Sequence, residues 1–109
     1  MAFSEDLQKR VLKVLPDGHN LQQKKMFGGW ALLLNGNMCL GIIGDRLMVR
    51  VGPDSWQQDL EQPHVKPMDF TGRSMIGYVF VEPSGISTLP QLEEWVNKGI
   101  RFAAGLPPK

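Results

Sequence analysis

Apolar positions recur at helical spacing at both ends of the chain and crowd into extended runs between them. Leu7, Val11, Val14 and Leu15 make one apolar stripe, with Lys9, Arg10 and Lys13 off it, which predicts a helix over residues 4–15. Ser4 is placed to cap it, and Glu5 and Asp6 fall in the first turn, where the helix dipole favours anions. Pro16-Asp17-Gly18 stops it. Three strands follow, over 30–34, 37–43 and 46–51. Asn35-Gly36 between the first two is a strong hairpin signal, because a type I′ turn needs positive φ at both central positions. Gly44-Asp45 makes the second tight turn. After the break at Gly52-Pro53, a short helix is predicted over 54–61, with Trp56 and Leu60 on its inner side. Pro63 and Pro67 bracket an extended segment, and 68–70 pairs with 76–82 around Thr71-Gly72-Arg73. The last helix starts at Thr88, where Thr88 and Gln91 match a capping box, and Leu89, Leu92, Val96, Ile100 and Ala103 form its apolar face. The fold class is therefore α+β: a two-layer domain with an antiparallel sheet, in the order α-βββ-α-ββ-α.

Two-residue turns would set the hairpin register. Leu33 then faces Met38, Leu32 faces Cys39, Ala31 faces Leu40, Trp30 faces Gly41, and across the second turn Leu40 faces Val49 and Cys39 faces Arg50. One sheet face becomes wholly aliphatic: Ala31, Leu33, Met38, Leu40, Ile42, Leu47, Val49 and Val51. It reads as the core face. The other holds Trp30, Leu32, Leu34, Cys39, Gly41, Ile43, Arg46, Met48 and Arg50, where a solvated face would be mostly polar. The expected interaction residues are Trp30, Leu32, Leu34, Ile43, Arg46, Met48 and Arg50. Three covers are open for that face: the Trp56 helix or the proline-rich segment, a second subunit, or a ligand.

The chain's 109 residues make a single domain, 1–109, of ordinary globular composition. A formal net charge of +1 argues against nucleic-acid binding by a strong overall field. The single cysteine, Cys39, excludes an internal disulfide and fits a reducing, cytoplasmic setting. No signal peptide or membrane-length apolar run is expected.

Candidate chemistry is sparse. Lys25-Met26-Phe27-Gly28-Gly29 is a possible loop site, since paired glycines expose backbone N–H groups that hold anions; the plainer reading sends Phe27 to the core and uses the glycines to turn the chain. Cys39 reads either as a thiol activated by Arg50 or as a small buried hydrophobe. His19 and His64 lack metal-ligand spacing and are expected to face solvent. Asp69 and Glu82 lie on one hairpin with no implied pocket, and Arg73 occupies its turn. Trp95 flanks the apolar stripe of the last helix, which implies partial burial. No catalytic set, metal site or cofactor site emerges, so the reading is of a non-enzymatic domain.

The stretch Lys25-Met26-Phe27-Gly28-Gly29-Trp30-Ala31-Leu32 with the Asn35-Gly36 turn, the later Gly77-Tyr78-Val79-Phe80-Val81 strand and Glu93-Glu94-Trp95-Val96 in the last helix resemble the TfoX N-terminal domain family of competence regulators. The resemblance runs from about residue 7 to residue 103. It implies a secretion-chaperone-like two-layer fold that commonly pairs as a homodimer. It also implies a regulatory role through a protein partner, the full-length TfoX/Sxy proteins acting with the cyclic-AMP receptor protein. Those proteins carry a second helical domain, which a chain of this length is expected to lack, and the resemblance supplies no catalytic residues. The expected partners are thus a second copy or another protein, with neither direct nucleic-acid binding nor a membrane expected. The alternatives are a small-molecule or anion-binding domain using the glycine loop or Arg46 and Arg50, and weak DNA binding through Lys9, Arg10, Lys13, Lys24 and Lys25.

Overall fold

In the computed structural model, which describes residues 3–16, 18, 20–26, 28–70 and 73–108, the first helix, α1 (Glu5–Val14), is capped as expected. Ser4 Oγ accepts from the Leu7 N–H at 3.1 Å, and Leu7 and Val11 are buried. Strands β1 (Leu21–Met26), β2 (Gly29–Leu34), β3 (Asn37–Ile43) and β4 (Arg46–Arg50) follow. Then come α2 (Pro53–Leu60), β5 (Val65–Phe70), β6 (Arg73–Val81), a single 3-10 turn and α3 (Leu89–Ala104). The capping box of α3 closes in both directions: the Gln91 N–H donates to Thr88 Oγ1 and the Thr88 N–H to Gln91 Oε1. The expected α+β class holds, with an open antiparallel sheet in the order β1-β2-β3-β4-β6-β5.

One strand was invisible to periodicity. β1 reads Leu-Gln-Gln-Lys-Lys-Met, with no apolar alternation, and residues 22–25 are exposed. It exists because its backbone pairs with β2 along its whole length, and its lysines mark it as an edge strand. β5 is the other edge, where Pro67 costs no ladder bond on the side facing solvent.

The register corrects the expected faces. Both turns form as two-residue turns, with positive φ at Asn35 and Gly36, and Leu33 does face Met38. Beyond that pair, however, Leu32 faces Leu40, Ala31 faces Gly41 and Trp30 faces Ile42. Cys39 is one extra residue in β3, a bulge that inverts the sidedness of β2 relative to the rest of the sheet. Its thiol donates to the Leu32 carbonyl at 3.2 Å. Trp30, Leu32, Leu34 and Cys39 therefore join Leu40, Ile42, Leu47 and Val49 in the main core, beneath Leu7, Val11, Leu92, Val96 and Ile100. Ala31, Leu33 and Met38 move to the opposite face. The proposed interaction set is split: its three β2 members are core residues, each no more than 3% exposed.

All three helices pack on the core side. Trp56 and Leu60 of α2 contact the main core, and the Trp56 indole N–H donates to the Tyr78 carbonyl at 2.9 Å. The Trp56 helix thus does not cover the second face. α2 is tied to α3 by Lys98 and Asp59, whose carboxylate is buried and also accepts from Ser55 Oγ and Gln62 Nε2.

Candidate interaction face

Without a helix above it, the second sheet face builds its own small core. Met48, Met68 and Phe80 pack together, with Met38, Ile43, Met75 and Tyr78 half-buried around them. Gly41 makes room for this: a Cβ there would stand 3.0 Å from Met48 Cε and 2.9 Å from the Trp30 carbonyl oxygen. Met68 comes from the proline-containing edge strand, so that segment supplies part of the cover. The central side chains are already 2% exposed or less, which makes Met48 a buried residue and not a contact residue.

Cations stand over and around this cluster. The Arg46 guanidinium lies 4.1 Å from the Phe80 ring centroid. Arg50 lies 5.4 Å from both the Tyr78 and Phe102 rings, and its Nη1 donates to the Met38 carbonyl at 3.4 Å. A cation over an aromatic face is held in place by the ring, and a guanidinium has five N–H donors, more than these contacts use. By register, Lys24 sits beside Ala31 and Lys66 beside Phe80, so both exposed lysines belong to this face. Ile43, Arg46, Met48 and Arg50 thus share this face, with Met48 buried at its centre.

The glycine loop is chiefly structural. Gly28 has a φ of +72° in the turn joining β1 to β2. Gly29 is buried, and a Cβ on it would fall 2.2 Å from the Ile42 carbonyl oxygen, so it lets β2 close on β3. Lys25 is exposed opposite Trp30. Phe27 and the side chain of Met26 lie outside the described residues. Trp30 is not available to a partner: its indole N–H donates to Gln23 Oε1 at 3.1 Å.

The remaining candidates separate in space. Cys39 is 0% exposed, and burial pushes its thiol from an ordinary 9.0 up to about 12. A backbone hydrogen bond at Leu40 and the charge of Arg50 pull the other way and lose, so of the two readings of Cys39 the small buried hydrophobe holds and the activated thiol does not. His64 is exposed, with Nδ1 2.9 Å from Ser84 Oγ; His19 falls outside the described residues. No group of three His, Cys, Asp or Glu that could hold a metal is found among the described residues. Asp69 pairs with Ser74 at one end of the β5–β6 hairpin while Glu82 follows Val81 at the other; the side chains of Asp69 and Arg73, like Thr71 and Gly72, lie outside the described residues. Trp95 is 8% exposed on α3. The buried Asp59 network escaped sequence reading, because an aspartate near a helix end looks like any solvated charge until its neighbours are known.

A small α+β domain with helices on one side of its sheet and an apolar, cation-bearing face on the other is the class these features define. The family model of the TfoX N-terminal domain matches residues 13–103, and the chain belongs to that family. No curated protein and no solved structure matches it. No helix among the described residues is long and apolar enough to cross a membrane.

Proposed function

We propose that this chain is a non-enzymatic interaction or regulatory domain of the TfoX N-terminal type, acting in the cytoplasm through protein contacts, with a link to competence or transcription. The supporting observation is the helix-free sheet face. A one-sided antiparallel sheet normally presents polar residues to water, whereas here Met38, Ile43, Met75 and Tyr78 remain half-buried around an apolar centre. A homodimer is the oligomeric form that family membership leads one to expect. Light scattering across a concentration series, on the native chain and on Ile43→Asp, tests this reading. A native dimer that Ile43→Asp dissociates supports self-association through the face. A native monomer removes the homodimer and leaves a different partner to account for the face.

A second reading, an anion or small-molecule binding domain, draws on the clustering of Arg46 and Arg50. A thermal-shift screen with inorganic phosphate and small carboxylates tests it, since a ligand selective for the native state raises the melting temperature.

A further inference from the structure

The charge of the helix-free face is lopsided. Lys24, Arg46, Arg50 and Lys66 all stand on it. Asp45 in the β3–β4 turn and Glu82 just past β6 flank it, and neither forms an ion pair among the described residues. The whole chain carries only +1, so the positive charge gathered here is offset by a net acidic remainder. We infer that this face docks an acidic amphipathic segment of another protein, its carboxylates meeting Lys24, Lys66, Arg46 and Arg50 and its apolar side chains meeting Met38 and Met75.

The inference rests on the interaction-domain reading and names the partner for the same face. A second copy fits poorly, because a two-fold contact buries the same face of both chains and so brings two positively charged surfaces together. Single-stranded nucleic acid is disfavoured by the state of the aromatics. Phe80 is 2% exposed and already carries Arg46, so it offers no open ring for a base to stack on. A lipid surface is disfavoured because the apolar centre is recessed, with Met48 and Met68 1% exposed or less, leaving little to insert. Methionines suit a docked peptide: their unbranched thioethers repack around side chains of different shape.

The test uses three fluorescent synthetic peptides: an amphipathic helix with glutamates opposite a leucine and phenylalanine stripe, the same helix with lysines for glutamates, and one with serines for the apolar residues. Binding is read by anisotropy at low and high salt, with methionine-methyl NMR of the native chain. The acidic amphipathic peptide is expected to bind about tenfold or more tightly than either control and more weakly at high salt. It should shift the Met38 and Met75 methyls and lose about tenfold in affinity to a Lys24→Glu, Lys66→Glu double variant, whose sites are exposed and leave the fold intact. No binding, equal binding of the lysine or serine peptide, or unshifted Met38 and Met75 methyls overturns the inference. So does stronger capture by anionic vesicles or by oligothymidine, which assigns the face to lipid or nucleic acid. A native dimer dissociated by Ile43→Asp also overturns it, while leaving the interaction-domain reading standing.

Discussion

Cys39 carries more of this fold than its size suggests. As the extra residue of the β3 bulge it decides which side of β2 faces the helices, and as a buried thiol it donates to the Leu32 carbonyl. Its acidity follows from its burial. The folded thiol is raised from 9.0 to about 12, so the native state favours the neutral form. That preference stabilises the fold fully below pH 9.0 and is lost as pH climbs from 9.0 towards 12, where the unfolded chain gives up the proton and the folded chain does not. Urea titrations of the native chain and Cys39→Ala should therefore show the native chain losing stability relative to the variant by a few kcal/mol between neutral pH and about pH 11. A parallel pH dependence in the two proteins would refute the assignment. A thiol reagent at neutral pH should label Cys39 only as fast as the protein opens. A cysteine in an apolar run was legible as a buried residue; that it forms a bulge was not, because the extra residue shows only in how two strands align.

Docking of α3 on the sheet depends on the same bulge. Gly99 lies against the bulged strand so closely that a Cβ would come 2.7 Å from the Cys39 carbonyl oxygen and 2.9 Å from Leu40 Cδ2. Backbone cannot yield there as a flexible side chain would. Gly99→Ala should cost about 1–3 kcal/mol of stability, read as a lower urea midpoint, although alanine is the better helix former by about 1 kcal/mol. A variant as stable as the native chain would show that α3 can rise off β3 without loss. The element boundaries divide along similar lines. α1, α3 and the two tight hairpins were readable because caps, stripes and an Asn-Gly turn are local chemistry. β1 was not, since six mostly polar residues become a strand only when a neighbour offers its edge.

On the scale of the whole molecule, apolar residues serve two separate clusters, one under the helices and one on the open face. The second cluster is a structural part of the monomer as well as the margin of a docking surface. Met48 and Ile43 test this division. Met48→Asp would bury a carboxylate beside Phe80 and Met68 and should cost several kcal/mol, enough to unfold much of a chain this small. Ile43→Asp, half-buried at the margin, should stay folded with a modest loss in melting temperature. Circular dichroism melts of the two variants check the contrast, and similar melting would mean that the face has no core of its own.

From the sequence alone came the α+β class, the helix caps, both tight turns and the family to which the chain belongs, all consequences of residues close together along the chain. The tertiary structure alone decided the faces. A sheet's side chains alternate, so one extra residue at Cys39 inverted the sidedness of β2, sent Trp30, Leu32 and Leu34 into the core, and left Ala31, Leu33 and Met38 on the face that gathers the cations.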